Sequence, residues 1–226
     1  MSRVRLALLT TLVGTAALTA CSSGGGSSAP SSASDGNKHL SSPAPKPITK
    51  ELSQAAITQS LPGYGEMTRG WSPHGDKKVI KGEYCNVRDA ESAPKGWIRG
   101  GDASYEYNGS TRNMSYVDIC LFDTAENAHT SYVARKGTET AKEQSPTAPV
   151  GDESTLVVNP GASEDSVYGY SRSGRVVVRV RVEGGTGDDP SGAQATLAAT
   201  LKRLQQLQDG RPATARAVDE QVVPAP

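Results

Sequence analysis

Aromatic side chains are scarce in this 226-residue chain: one phenylalanine, two tryptophans and eight tyrosines make up 5% of it. Its core therefore has to rely on valine, leucine, isoleucine, alanine and tyrosine. An excess of either charge is also missing, with 24 basic residues against 24 acidic ones. General nucleic-acid binding needs a clustered basic surface, so that class is set aside. The chain contains no GxSxG elbow, HExxH pair or phosphate loop. Without an activated nucleophile, a base or a phosphate cradle it reads as a non-enzyme. The three histidines are His39, His74 and His129. None stands at metal-ligand spacing from another, so neither a metal nor another cofactor is expected. Nor is there an apolar run of the roughly 20 residues that a membrane-spanning helix needs.

The apolar run that does occur, Leu6 to Leu18, follows Arg3 and Arg5 and leads into Leu18-Thr19-Ala20-Cys21. A charged start with a short apolar middle is the layout of a secretory signal peptide over residues 1–20. Its last four residues resemble the lipobox of bacterial lipoproteins. That resemblance implies a diacylglyceryl group on the Cys21 thiol, cleavage before Cys21, and a protein held by this lipid on the extracytoplasmic face of the cell membrane. Two acyl chains are what stable anchoring requires, since one chain binds only marginally. Residues 21–46 are dominated by Ser, Gly, Pro and Ala, with Leu40 their one large aliphatic side chain. Such a stretch cannot offset its ordering entropy and reads as a flexible tether. Removal of the leader takes two arginines and no acid, leaving a formal charge of −2.

Residues 47–208 are long enough for one domain, and 209–226 lack an apolar period and read as a disordered tail. Cys85 and Cys120 form an even pair, which in an exported domain points to a disulfide. A redox or metal role for them needs a close CxxC or nearby histidines, and neither is present. Thr49 is the expected cap of a first helix that ends at Pro62-Gly63, with a strand from about Asp76 through Cys85 after it. Two further strands flank Asn108-Gly109, a dipeptide that favours a two-residue hairpin. Asp123-Thr124-Ala125-Glu126 has the form of a capping box and opens a helix toward Lys136, closed by Gly137. Asp189-Pro190 starts a last helix with Leu197, Leu201 and Leu204 on one stripe.

The stretch from Ser166 to Gly185 carries the strongest pattern. A turn at Ser173-Gly174 sets Tyr170 opposite Val177 and Tyr168 opposite Arg179, with alternate valines forming the buried face. Arg175, Arg179 and Arg181, beside Tyr168 and Tyr170, then form a candidate site for an anionic ligand, with Tyr168 placed for cation-π contact with Arg179. The competing reading pairs these arginines with Glu164, Asp165 and Glu183 on a solvated face. Together the elements predict an α+β domain, an antiparallel β-sheet with helices packed on its apolar face. The order leaves open two similar strand-hairpin-helix halves.

Three pieces carry a wider resemblance: Gly151, Asp152 and Glu153; Arg175 to Val182; and Ala195 to Leu204. Together they resemble actinobacterial extracytoplasmic lipoproteins. More distantly they are similar to the extracellular sensor domains of mycobacterial receptor Ser/Thr kinases. Those sensor domains are usually stapled by two disulfides, and this chain has cysteines for one. The resemblance implies a non-catalytic ligand-binding or sensing module of the cell envelope, with a small or lipidic ligand. The alternative is a docking module for an envelope protein that carries no small molecule.

Overall fold

Alternation of valine with arginine from residue 178 onward sets the centre of the molecule. Val176, Val178, Val180 and Val182 are all buried, because a strand sends successive side chains to opposite faces and every second one here is β-branched. They belong to β8 (Val176–Glu183), in the middle of an eight-stranded sheet. The structure is a computed structural model, in which residues 46–139, 141, 143–159, 165–184 and 190–221 are described. The other strands are β1 (Trp71–Pro73), β2 (Lys78–Ile80), β3 (Trp97–Tyr107), β4 (Ser110–Phe122), β5 (Glu143–Gln144), β6 (Glu153–Asn159) and β7 (Ser166–Ser173). Their order across the sheet is β1-β3-β4-β8-β7-β6-β5, and β2 also pairs with β3. All of these pairings are antiparallel.

With helices α1 (Gln54–Ser60), α2 (Ala125–Lys136) and α3 (Pro190–Gln208) the architecture is α+β. Helices α1 and α3 cover the valine face. There Ile57, Leu61, Leu197, Leu201 and Leu204 share one cluster with Val117, Ile119, Val178 and Val180. Helix α2 lies on the opposite face, where Ala128 and Tyr132 join Cys120, Phe122, Tyr170 and Val177. A single helix-covered face therefore becomes two. The reason lies in β4, whose residues from Val117 to Phe122 are buried at both odd and even positions. The strand-hairpin-helix halves meet where β4 pairs with β8, but their helices sit on opposite sides.

Several local expectations shift by a few residues. Ser53 caps α1 in place of Thr49, its Oγ accepting from the Ala56 N–H at 3.2 Å. The Thr49 N–H donates instead to Gln208 Oε1 at 2.6 Å. Strand β2 stops at Ile80, and a 3-10 turn over Gly82–Cys85 replaces the rest of the expected strand. The Asn108-Gly109 hairpin is as anticipated, with both residues at positive φ. The second hairpin turns one residue later than expected, at Gly174-Arg175, with Ser173 opposite Val176. Only Gly174 has positive φ, and glycine at the first loop position is the type II′ arrangement. This changes each cross-strand partner by two residues and keeps every side chain on its face. Tyr170 now faces Arg179, and Tyr168 faces Arg181.

Residues 209–221 do not form the disordered tail expected of them. Ala217 packs on Ala195 and Ala199 of α3, and its N–H donates to Glu66 O at 2.6 Å. Arg203 donates to Ala215 O at 3.0 Å. Contacts between small side chains leave no apolar period to read. The leader, Cys21 and the tether up to residue 45, like residues 222–226, lie outside the described residues. No helix among the described residues is long and apolar enough to cross a membrane.

Candidate functional site

On the α2 side of the sheet the alternation of β4 places Tyr116, Asp118 and Cys120. Asp118 stands opposite Arg179 of β8 and Asp102 of β3. Asp118 is 7% exposed. It accepts from Arg179 Nε at 2.6 Å and pairs with Arg179 Nη2 as well. From α2, Arg135 reaches the same oxygen at 3.3 Å. Arg135 is itself 2% exposed. The nitrogen that reaches Asp118, Nη2, also lies 3.4 Å from the Tyr84 carbonyl, Nη1 lies 3.5 Å from Cys120 Sγ, and Nε has no partner among the described residues. Burial pushes the Arg135 guanidinium down to about 10, the Arg179 charge adds to that, and Asp118 opposes both. Burial acts on Arg179 in the same direction, but Asp118 and then Tyr170 outweigh it and hold its pKa above the ordinary value. Two cations thus share one buried carboxylate, which joins α2, β4 and β8.

A cleft of 340 Å³ opens beside this group, where β2 and the 3-10 turn stand over β3 and β4. Lys78, Val79, Lys81, Glu83, Tyr84 and Asp102 line it, and Asp118 forms part of its floor. Val79 and Tyr84 are 66% and 62% exposed. The Asp102 side chain makes no hydrogen bond or ion pair with a described residue. Burial raises its pKa first and the neighbouring Asp118 raises it further, while Lys78 and Arg179 pull the other way. The Cys85–Cys120 disulfide ties the end of the 3-10 turn to β4. Both cysteines are fully buried, so the staple holds one wall of the cleft against its floor.

Tyr168, Tyr170, Arg179 and Arg181 share this face of the sheet, and Arg175 does not join them. Arg175 sits in the hairpin loop, where its Nε donates to Phe122 O at 2.8 Å. The two tyrosines stack with ring centroids 6.3 Å apart, and Tyr170 donates to Glu139 at 3.0 Å. The shifted hairpin also redirects the cation-π contact: Arg181 lies 4.2 Å over Tyr116. Arg181 is 3.2 Å from Glu183, one of the partners anticipated for it. Glu164 lies outside the described residues. The arginine face is thus largely compensated from within the chain.

Sequence reasoning missed Asp102, Asp118 and Arg135. One signal was available, an acidic residue between Val117 and Ile119 in the apolar second half of β4. It also overlooked Ser92-Ala93-Pro94-Lys95, which has SxxK spacing. Ser92 and Lys95 are exposed on a loop without a helical turn to bring them together. The Gly151-Asp152-Glu153 element supports the hairpin: Asp152 accepts from the Gly174 N–H at 2.7 Å, and Glu153 pairs with Arg172 and with His129 of α2.

No protein-family model matches the chain, and no curated protein is similar to it at a significant level. Among solved structures it is similar to the extracellular domain of PknH from Mycobacterium tuberculosis, at 13% identity and a TM-score of 0.45. The likeness covers 72% of this chain and 99% of that one.

Proposed function

We propose that this protein is a lipid-anchored, extracytoplasmic module that binds a small ligand in the cleft between β2, the 3-10 turn and the β3–β4 hairpin. It performs no chemistry on that ligand. One observation carries the reading: a half-buried carboxylate, Asp102, has no hydrogen-bond or ion-pair partner among the described residues and lines a 340 Å³ cavity. Such a volume is at the lower end of the roughly 300–1,000 Å³ of small-molecule sites. A polar group that folding leaves unsatisfied is one that a ligand satisfies at little cost. The frame around it is stiffened by a buried disulfide and by the Arg135–Asp118–Arg179 group, and a binding site gains affinity from such preorganisation. The location rests on the leader and Cys21, supported by a disulfide of the kind that oxidising compartments allow.

Docking of an envelope protein is the second reading, favoured by the exposed Val79 and Tyr84 at the mouth of the cleft. Native mass spectrometry of the protein, extracted from the bacterial membrane that made it, separates the two. A diacylglyceryl mass on Cys21 together with a non-covalent small-molecule adduct is the expected result. An unmodified Cys21 removes the anchor. A bare protein that crosslinks in cells to one protein partner, through residues around Tyr84, replaces ligand capture with docking.

A further inference from the structure

The charges around the cleft identify the class of ligand more closely, an inference that rests on the cleft being a binding site. Asp118 is spent on Arg135 and Arg179. The remaining ionised groups of the lining are Lys78, Lys81, Glu83 and Asp102. None of the four forms an ion pair or a side-chain hydrogen bond with a described residue. Two ammonium groups and two carboxylates are therefore left uncommitted around one cavity, and their charges cancel. A ligand of a single sign meets as much repulsion as attraction there. A ligand carrying both signs a few ångströms apart is matched at each end. Between the charges the wall is apolar, with Tyr84 exposed and Ile80 behind it.

We propose that the cleft takes a zwitterionic ligand of amino-acid or short-peptide type. Its ammonium rests on Asp102, its carboxylate lies toward Lys78 and Lys81, and its apolar part lies against Tyr84 and Ile80. Asp102 has the position that such recognition needs. It stands on a strand paired on both sides, so its backbone is fixed, and its cross-strand neighbour Asp118, held by two arginines, does not compete for the ligand.

The test uses the full-length protein in detergent micelles and three probes: leucyl-alanine, N-acetyl-leucyl-alanine and leucyl-alaninamide. Backbone amide shifts at Val79, Tyr84 and Gly101 locate binding, and calorimetry measures it. A charge-assisted contact of the usual strength predicts that each blocked peptide binds about tenfold or more weakly than leucyl-alanine. Asp102→Asn weakens leucyl-alanine and its amide by about the same factor and leaves the acetylated peptide unaffected. The unfolding midpoint of Asp102→Asn, expected not to fall, shows that any loss of binding is not a loss of fold. Equal binding of all three peptides in the cleft, insensitive to Asp102→Asn, overturns the zwitterion and leaves a ligand site of another chemistry. Absence of any shift with all three also overturns it, and the mass-spectrometric adduct then decides separately whether the cleft binds anything.

Discussion

Asp118, Arg135 and Arg179 respond unequally to substitution because two cations share one carboxylate. Asp118→Asn leaves two arginines close together in a buried site, and breaking a buried pair in this way costs about 3–5 kcal/mol. Arg135→Met leaves the Asp118–Arg179 pair intact and replaces a buried charge with an apolar chain of similar length, so its cost is smaller. Urea unfolding of the two variants gives that order, and a larger loss for Arg135→Met contradicts this account of the site. Asp102 behaves in the opposite sense. Its folded pKa is raised, by burial and then by Asp118, against Lys78 and Arg179. The folded chain therefore holds the Asp102 proton more tightly than the unfolded chain, and stability falls as pH rises through the carboxylate range. Asp102→Asn should raise the thermal midpoint at neutral pH, with the gain vanishing below that range. A midpoint lowered at neutral pH identifies an unrecognised partner for this side chain.

At the scale of elements, the disulfide and the β7–β8 turn hold the site's two supports in register. Cys85 and Cys120 are 35 residues apart, and the loop-entropy argument gives their bridge about 3–4 kcal/mol. Replacing both by alanine should lower stability by that amount, read by urea unfolding, and should loosen the 3-10 turn before the rest of the sheet in hydrogen exchange. Gly174 has a different task. Its φ is +55°, and a Cβ there lies 2.1 Å from Ile48 O, where the segment leading to α1 crosses the turn. The neighbouring Arg175 N–H donates to the same carbonyl at 2.9 Å. Gly174→Ala should therefore cost about 1–3 kcal/mol for the backbone conformation alone, with the displaced segment adding to it. An unchanged denaturation midpoint shows that this crossing is not tightly held.

Over the whole molecule, the chain from Asp209 to Gln221 works as a strap. Arg203 is 4% exposed. It donates to Ser60 O, Gln59 O and Ala215 O, and pairs with Glu66 at 2.9 Å. One side chain of α3 thereby joins the end of α1, the loop after it and the strap. Ending the protein at Gln208 removes one acceptor from this buried guanidinium and uncovers Ala195 and Ala199. An unmet buried donor costs about 1–3 kcal/mol, so the shortened protein should unfold at lower urea, with faster amide exchange in α3. Identical unfolding of the two forms means that the strap is passive.

Several elements were legible in the sequence because they depend on near neighbours. Alternate valines make β8, Asn108-Gly109 makes a hairpin, Thr124 opens α2, and Leu197, Leu201 and Leu204 set α3 against the sheet. The two domain cysteines were legible as a pair. The site was legible only in part: Tyr168, Tyr170, Arg179 and Arg181 do share a face, but the groups that engage or surround them came from elsewhere. Arg135 reaches Asp118 across 17 residues and Arg179 reaches it across 61. No periodicity reports such a distance. The hairpin's register was decided by Ile48 crossing Gly174, the placement of α2 by Cys120 and Phe122 on the second face, and the burial of the strap by alanine contacts too small to leave a pattern. Local order in this protein follows from local chemistry, whereas the cleft exists because strand pairing sets an uncommitted Asp102 opposite an Asp118 already committed to two distant arginines.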